Sequence, residues 1–252
     1  MKFFKYLGAI SIGLYLLAGA LLYLLQRDFL YFPSAMVTHE HATQSILAGK
    51  ATLDIVVLNA GMETAILYFG GNGEAVINNA GNFNHLFSNK TVYLVNYRGY
   101  AGSTGTPTES HLFADAQLVY DIFSDRHKSI SVIGRSLGSG VAIYLASTRT
   151  IDKLVLVTPY NSIANIAQDQ YPMFPISLML KDKYNSAGRV KNIASQTLIL
   201  LAEHDNVVPL KYSELLIREF DPSQVSVRTI KSTGHNSLSG TREYNELLQE
   251  FL

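Results

Sequence analysis

A single serine, Ser136, stands between two glycines in Gly134-Arg135-Ser136-Leu137-Gly138, where a β-branched run gives way to helix formers. G-x-S-x-G between a strand and a helix suits a serine held on a tight turn. The glycines tolerate the crowding, the hydroxyl is exposed, and the next backbone N–H can face an oxyanion. A glycine-rich turn that closes a strand onto a helix, with or without a phosphate at the helix start, is the competing reading. The stretch lacks the Lys-Ser/Thr of a P-loop and the G-x-G-x-x-G of a dinucleotide turn.

A serine hydroxyl is a weak nucleophile unless an imidazole takes its proton and a carboxylate orients that imidazole. On open α/β sheets the three follow one another as serine, acid, histidine, each at a carboxyl strand end. Leu200-Leu201-Ala202-Glu203-His204-Asp205 ends an apolar run in acids; Asp205 lies further into the loop and is preferred, with Glu203 as the alternative. His235 is the only histidine after Asp205. Phe69-Gly70-Gly71-Asn72 lets the main chain approach a substrate oxygen, so the N–H of Asn72 beside that of Leu137 is the expected oxyanion pair. Of the other histidines only His39 and His41 are spaced like metal ligands, and they read as surface.

The elements that must position these residues are legible as alternation. Strands are expected over 54–58, 65–69, 91–96, 129–133, 153–157, 197–202 and 225–230, several of them continuously apolar, as strands covered on both faces should be. Helices are expected over 74–87, 109–126, 137–147, 211–220 and 242–251. Asn161 to Arg189 breaks the alternation, and Tyr171 to Leu180 within it is apolar and interrupted by Pro172 and Pro175. It falls between nucleophile and acid, where a cap over the site is expected. Phe174 and Met179 are its candidate contacts to a flexible acyl chain, since Met and aromatic side chains adapt to such ligands. Completing the core or resting on a bilayer would explain the segment equally well.

Lys plus Arg and Asp plus Glu number 20 each and no basic run occurs, which argues against nucleic acid as a partner. With no cysteine, disulfides, thiolate metal sites and a thiol nucleophile are excluded. Tyr6 to Leu25 carries no charge and is long enough to cross a bilayer core. Lys2 and Lys5 precede it while Arg27 and Asp28 cancel, so the N-terminus is expected in the cytoplasm and the rest of the chain on the other side. A cleaved signal peptide is the alternative, with Ala18-Gly19-Ala20 as its small-residue site, although Leu21 to Leu25 continues the apolar run.

The elbow, Asp205-Asn206-Val207-Val208-Pro209, Gly234-His235-Asn236, the stretch Asn96-Tyr97-Arg98-Gly99-Tyr100 with Ala101 to Gly105, and Tyr31-Phe32-Pro33 together resemble the membrane-anchored α/β-hydrolase domain proteins. The resemblance implies an α/β-hydrolase fold, with a mostly parallel sheet flanked by helices. It also implies a serine hydrolase in which Ser136, Asp205 and His235 form the triad and Asn72 with Leu137 the oxyanion hole. Some members act on lipids and some remove fatty acyl groups from proteins. Asn96 to Tyr100 reads as a structural brace. Where the family has His-Gly-Asn this chain has Gly70-Gly71-Asn72, which implies a less constrained loop and reduced activity.

The expected organisation is therefore an anchor over 1–30 and a single hydrolase domain over 31–252, with a cap inserted at 160–190. The expected chemistry is cleavage of a carboxylic ester or thioester, with a lipid or acylated molecule as substrate and no metal or organic cofactor. An amide hydrolase or peptidase using the same triad is one rival, because fold does not choose the leaving group. A non-catalytic anchored binding module is the other.

Overall fold

The computed structural model describes residues 2–252. Eight strands, β1 (Ala42–Ala48), β2 (Ala51–Leu58), β3 (Thr64–Phe69), β4 (Thr91–Val95), β5 (Ser129–Arg135), β6 (Lys153–Val157), β7 (Gln196–Ala202) and β8 (Val225–Ile230), form one sheet. Their spatial order is β1-β2-β4-β3-β5-β6-β7-β8. β1 and β2 are a hairpin turning at Gly49, and β2 meets β4 antiparallel; every later pairing is parallel. The register sets Phe69 beside Gly134 and Arg135 beside Val157, so the carboxyl ends of β3, β5 and β6 share one edge.

Successive side chains of a strand point to opposite faces, and both faces here are covered. Leu154 and Leu156 of β6 pack toward α3 (Glu109–Ser124) and α4 (Leu137–Thr148), through Val119, Val141 and Leu145. Val155 and Val157 pack toward α2 (Ala80–Leu86) and α8 (Arg242–Phe251), through Phe83 and Leu248. Burying such a side chain contributes roughly 1.5–3 kcal/mol, so this two-sided core outweighs any single loop interaction described below. Arg98 donates to both carboxylate oxygens of Asp115 at 2.6 Å, tying the Asn96–Tyr100 stretch to α3.

Two elements depart from expectation. β1 is absent from the sequence reading because only Ile46 and Ala48 of its seven residues are buried, so this edge strand carries little apolar signal. The helix expected over 74–87 is a 3-10 turn at Val76–Asn79 followed by α2, because the Glu74 carboxylate folds back onto Gly71 instead of starting a helix.

Besides short 3-10 turns at Ala187–Asn192 and Leu238–Gly240, the remaining elements are α1 (Lys2–Leu30), α7 (Leu210–Ile217) and, between β6 and β7, the insertion with α5 (Ile163–Gln170) and α6 (Ile176–Met179). α1 is long and apolar enough to cross a membrane. Most of it is exposed; Gly19, Leu22, Gln26 and Leu30, at helical spacing on one face, are the better-covered positions, and they lie toward the insertion. The Ser162 hydroxyl caps α5 by accepting from Asn165 N–H at 3.0 Å.

Candidate active site

Ser136 sits between β5 and α4 with φ 49° and ψ −117°, a conformation that side-chain-bearing residues rarely adopt. Such strain costs roughly 1–3 kcal/mol and persists only when its surroundings over-determine it. Here Ser136 N–H donates to Val157 O at 2.9 Å, and Ser136 O accepts from Ser139 N–H at 2.9 Å and Ser139 Oγ–H at 2.6 Å. The flanking glycines serve close approach: a Cβ on Gly138 would lie 2.1 Å from Phe69 O, and one on Gly134 2.5 Å from the Ala142 side chain. The turn is thus wedged against β3 and its own helix.

Asp205 follows β7, and its Oδ1 accepts from the N–H groups of Val207 at 2.9 Å and Val208 at 2.7 Å. Its Oδ2 lies 2.7 Å from His235 Nδ1, and His235 Nε2 lies 2.9 Å from Ser136 Oγ. A carboxylate only accepts, so Nδ1 carries the imidazole proton and Nε2 is free to accept from the serine hydroxyl. The Asp205 and His235 side chains are buried to 2% and 6% exposure. Glu203, the alternative acid, points elsewhere: it accepts from Ser232 N–H and Lys231, which hold its carboxyl below the usual range.

The loop after β3 faces the elbow. Gly71 N–H donates to Glu74 at 2.6 Å, whereas the N–H groups of Asn72 and Leu137 donate to no protein acceptor among the described residues. Glu74 also accepts from Tyr68 and Asn79, both at 2.6 Å, and from Arg135 at 3.1 Å. The loop is therefore braced, which corrects the expectation that losing the family's histidine leaves it loose. Burial opposes the Arg135 charge, but Glu74 together with the Tyr68 and Tyr244 hydroxyls outweighs it and holds the guanidinium above its ordinary value. Arg135 also reaches His235 O and Asn236 at 3.4 Å, so it joins the loops that meet at Ser136. Glu74 was missed from sequence; its spacing from Gly71, an acid three residues on at the approach to a helix, is the signal.

The Asn72 side chain turns toward α1, donating to Leu30 O at 2.7 Å and accepting from Phe32 N–H at 2.9 Å and Tyr100 O–H at 2.7 Å. Above Ser136 opens a cavity of about 360 Å³. Leu137 and Asn72 line it beside the serine; Leu22 and Phe29 of α1, Ile166 of α5 and Met179 complete the apolar wall. Phe174, expected to line it with Met179, does not: its ring stacks on Tyr15 of α1 at 4.9 Å. The side-chain-free surface at Gly19 supplies the space, since a Cβ there would come within 3.3 Å of Phe174.

No protein-family model matches the chain. It is 33% identical over 232 residues to an uncharacterized protein of Mycobacterium tuberculosis, covering 84% of this chain and 80% of that one. It is 28% identical to the alpha/beta hydrolase domain-containing protein aho-3 of Caenorhabditis elegans, over 65% of this chain and 49% of aho-3. The esterase Pf2001 of Pyrococcus furiosus shares the fold at a TM-score of 0.69 and 16% identity, covering 88% of this chain and 98% of that one. A fold shared with that esterase over most of both chains, an apolar helix ahead of it and a relative sharing a third of its residues over most of both chains place this chain, like aho-3, in the α/β-hydrolase family.

Proposed function

We propose that this protein is a membrane-anchored serine hydrolase that cleaves a carboxylic ester or thioester of a lipid or acylated substrate through an acyl-enzyme. The observation that carries the reading is the unbroken series of hydrogen bonds from Asp205 through His235 to Ser136, ending beneath an apolar cavity.

Ser136 Oγ attacks the acyl carbon as its proton passes to His235 Nε2. Asp205 holds the imidazole in the required tautomer and stabilises the imidazolium. The carbonyl oxygen, now an oxyanion, is held by the N–H groups of Asn72 and Leu137. Collapse breaks the bond to the leaving alkoxide or thiolate, which takes the proton from His235 and departs as alcohol or thiol. Water then gives a proton to His235 and attacks the acyl-serine; the carboxylic acid leaves and Ser136 regains its proton.

Labelling of the full chain in detergent by a fluorophosphonate tests the nucleophile, with Ser136→Ala as the comparison. Loss of label supports the reading, and equal labelling overturns it. Rates on matched ester and amide analogues separate it from a peptidase. The charge pattern around α1 supports a cytoplasmic N-terminus with the hydrolase domain on the opposite side. A reporter fused after Leu252 that works only outside the cytoplasm is the expected result.

A further inference from the structure

α1 is charge-free from Tyr6 to Leu25, and at about 1.5 Å per residue this run matches a hydrocarbon core roughly 30 Å thick. If the helix stood clear of the domain, only its far end would meet the rest of the chain. Instead the insertion runs beside it for half its length. Tyr15 O–H donates to Met173 O at 2.8 Å, Phe174 lies against Gly19, and Gln26 pairs with the backbone of Met179 and Lys181. Tyr15 lies ten residues below Leu25, about 15 Å along the axis. A spanning α1 therefore carries the tip of the insertion into the hydrocarbon.

The insertion is built for that depth. From Gln170 to Leu180 it contains no charged residue, and Met173 and Leu178 are exposed at 76% and 83%. Charges resume together on both elements: Arg27 pairs with Asp182 at 2.8 Å, and Lys181 lies 4.3 Å over the Tyr23 ring. One apolar-to-charged boundary thus crosses α1 and the insertion at the same level. Irregular backbone in lipid needs internal partners. Gln168 supplies two, donating to Phe174 O at 3.0 Å and accepting from Ile176 N–H at 3.1 Å, while Pro172 and Pro175 have no N–H to satisfy. The cavity extends across the same boundary, from Ser136 to Leu22 and Met179.

We infer that the segment from Tyr171 to Leu180 is immersed beside α1 in the leaflet nearest the domain, and that the cavity over Ser136 takes the acyl chain of a bilayer-resident ester directly from that leaflet. α1 is then one wall of the substrate site as well as an anchor. The acyl-entry half rests on the hydrolase reading above; the immersion half does not.

The chain contains no tryptophan, so Leu178→Trp installs a single indole, excited apart from the tyrosines, on the exposed tip, and Leu47→Trp does so on the exposed edge strand. Full-length protein in phosphatidylcholine vesicles is compared with protein in vesicles of phosphatidylcholine brominated on its acyl chains. Quenching of the Leu178→Trp protein but not of the Leu47→Trp protein is expected; equal, negligible quenching of both overturns immersion. For entry, Gly19→Leu pushes Phe174 away from α1. Hydrolysis of a long-chain ester resident in the vesicle should fall about tenfold or more while fluorophosphonate labelling stays within about twofold. Unchanged hydrolysis of that ester overturns entry along α1. Quenching in a protein whose Ser136 never labels would sink the hydrolase reading and leave immersion standing.

Discussion

Around Ser136 the backbone is closely packed and its loops are tied down, leaving the N–H groups of Asn72 and Leu137 free among the described residues: Gly138 lies against Phe69 O, and Glu74 alone receives hydrogen bonds from Gly71, Tyr68, Asn79 and Arg135. Across the cavity, α1 and the insertion meet through a stacked pair of rings, a missing side chain at Gly19 and apolar surface. The first region is fixed by directional bonds and close backbone packing, the kind of constraint that proton transfer and oxyanion stabilisation would need. The second keeps its directional bonds, from Tyr15, Gln26 and Arg27, along the seam between α1 and the insertion and fills the cavity wall itself largely with apolar surface, as a flexible apolar guest requires. Asn72 joins the two, with its main chain at the elbow and its side chain on the end of α1.

That contrast breaks most severely at its rigid end. Ser136→Ala should abolish fluorophosphonate labelling and lower turnover on the order of a thousandfold or more with the melting temperature little changed, and His235→Ala should lose a comparable amount of turnover. Turnover that survives either change would remove the distinction between the regions.

Glu74→Ala leaves the Arg135 charge buried without its partner, a loss of roughly 3–5 kcal/mol by denaturant titration. Activity should fall with it as the oxyanion loop loosens. The pair Glu74→Leu with Arg135→Met should recover much of the stability while activity stays low, which separates holding the fold from holding the loop.

Asn72→Ala keeps the main-chain N–H and removes the tie to Leu30 and Phe32. We expect kcat to fall about tenfold with KM little changed, because a misplaced donor weakens the transition state more than binding. A change confined to KM would put Asn72 in the adaptable region instead.

The smallest effect belongs to the apolar wall. Along a series of p-nitrophenyl esters kcat/KM should rise with acyl length, by at most about 0.8 kcal/mol per methylene buried. Met179→Ala should flatten the rise a few-fold without altering the acetate rate. Phe174→Ala should do so only through its contact with α1. A profile highest at acetate and indifferent to Met179 would show that the cavity does not select acyl chains.

Local chemistry made much of this legible in the chain. Ser136 stood out because a strand-to-helix elbow needs small residues on both sides, and chain order left His235 alone after the acid. The central strands were readable because burial on both faces demands unbroken apolar runs, whereas β1, half exposed at an edge, left no such trace. Long-range geometry decided the rest. Asp205 and Glu203 are two residues apart with the same functional group, and only the path of the loop turned one toward His235 and the other toward Lys231. Glu74 looked like the start of a helix until folding brought Gly71 and Arg135 to it. Pro172 and Pro175 broke the periodicity that tells inward from outward side chains, so the packing of α1 alone assigned Met179 to the cavity and Phe174 to the helix. An apolar run of twenty residues reads as a membrane span from composition, because length and charge are properties of the chain. That one face of it also walls the cavity over Ser136 is a property of contacts between residues far apart in sequence, and only the tertiary structure holds those.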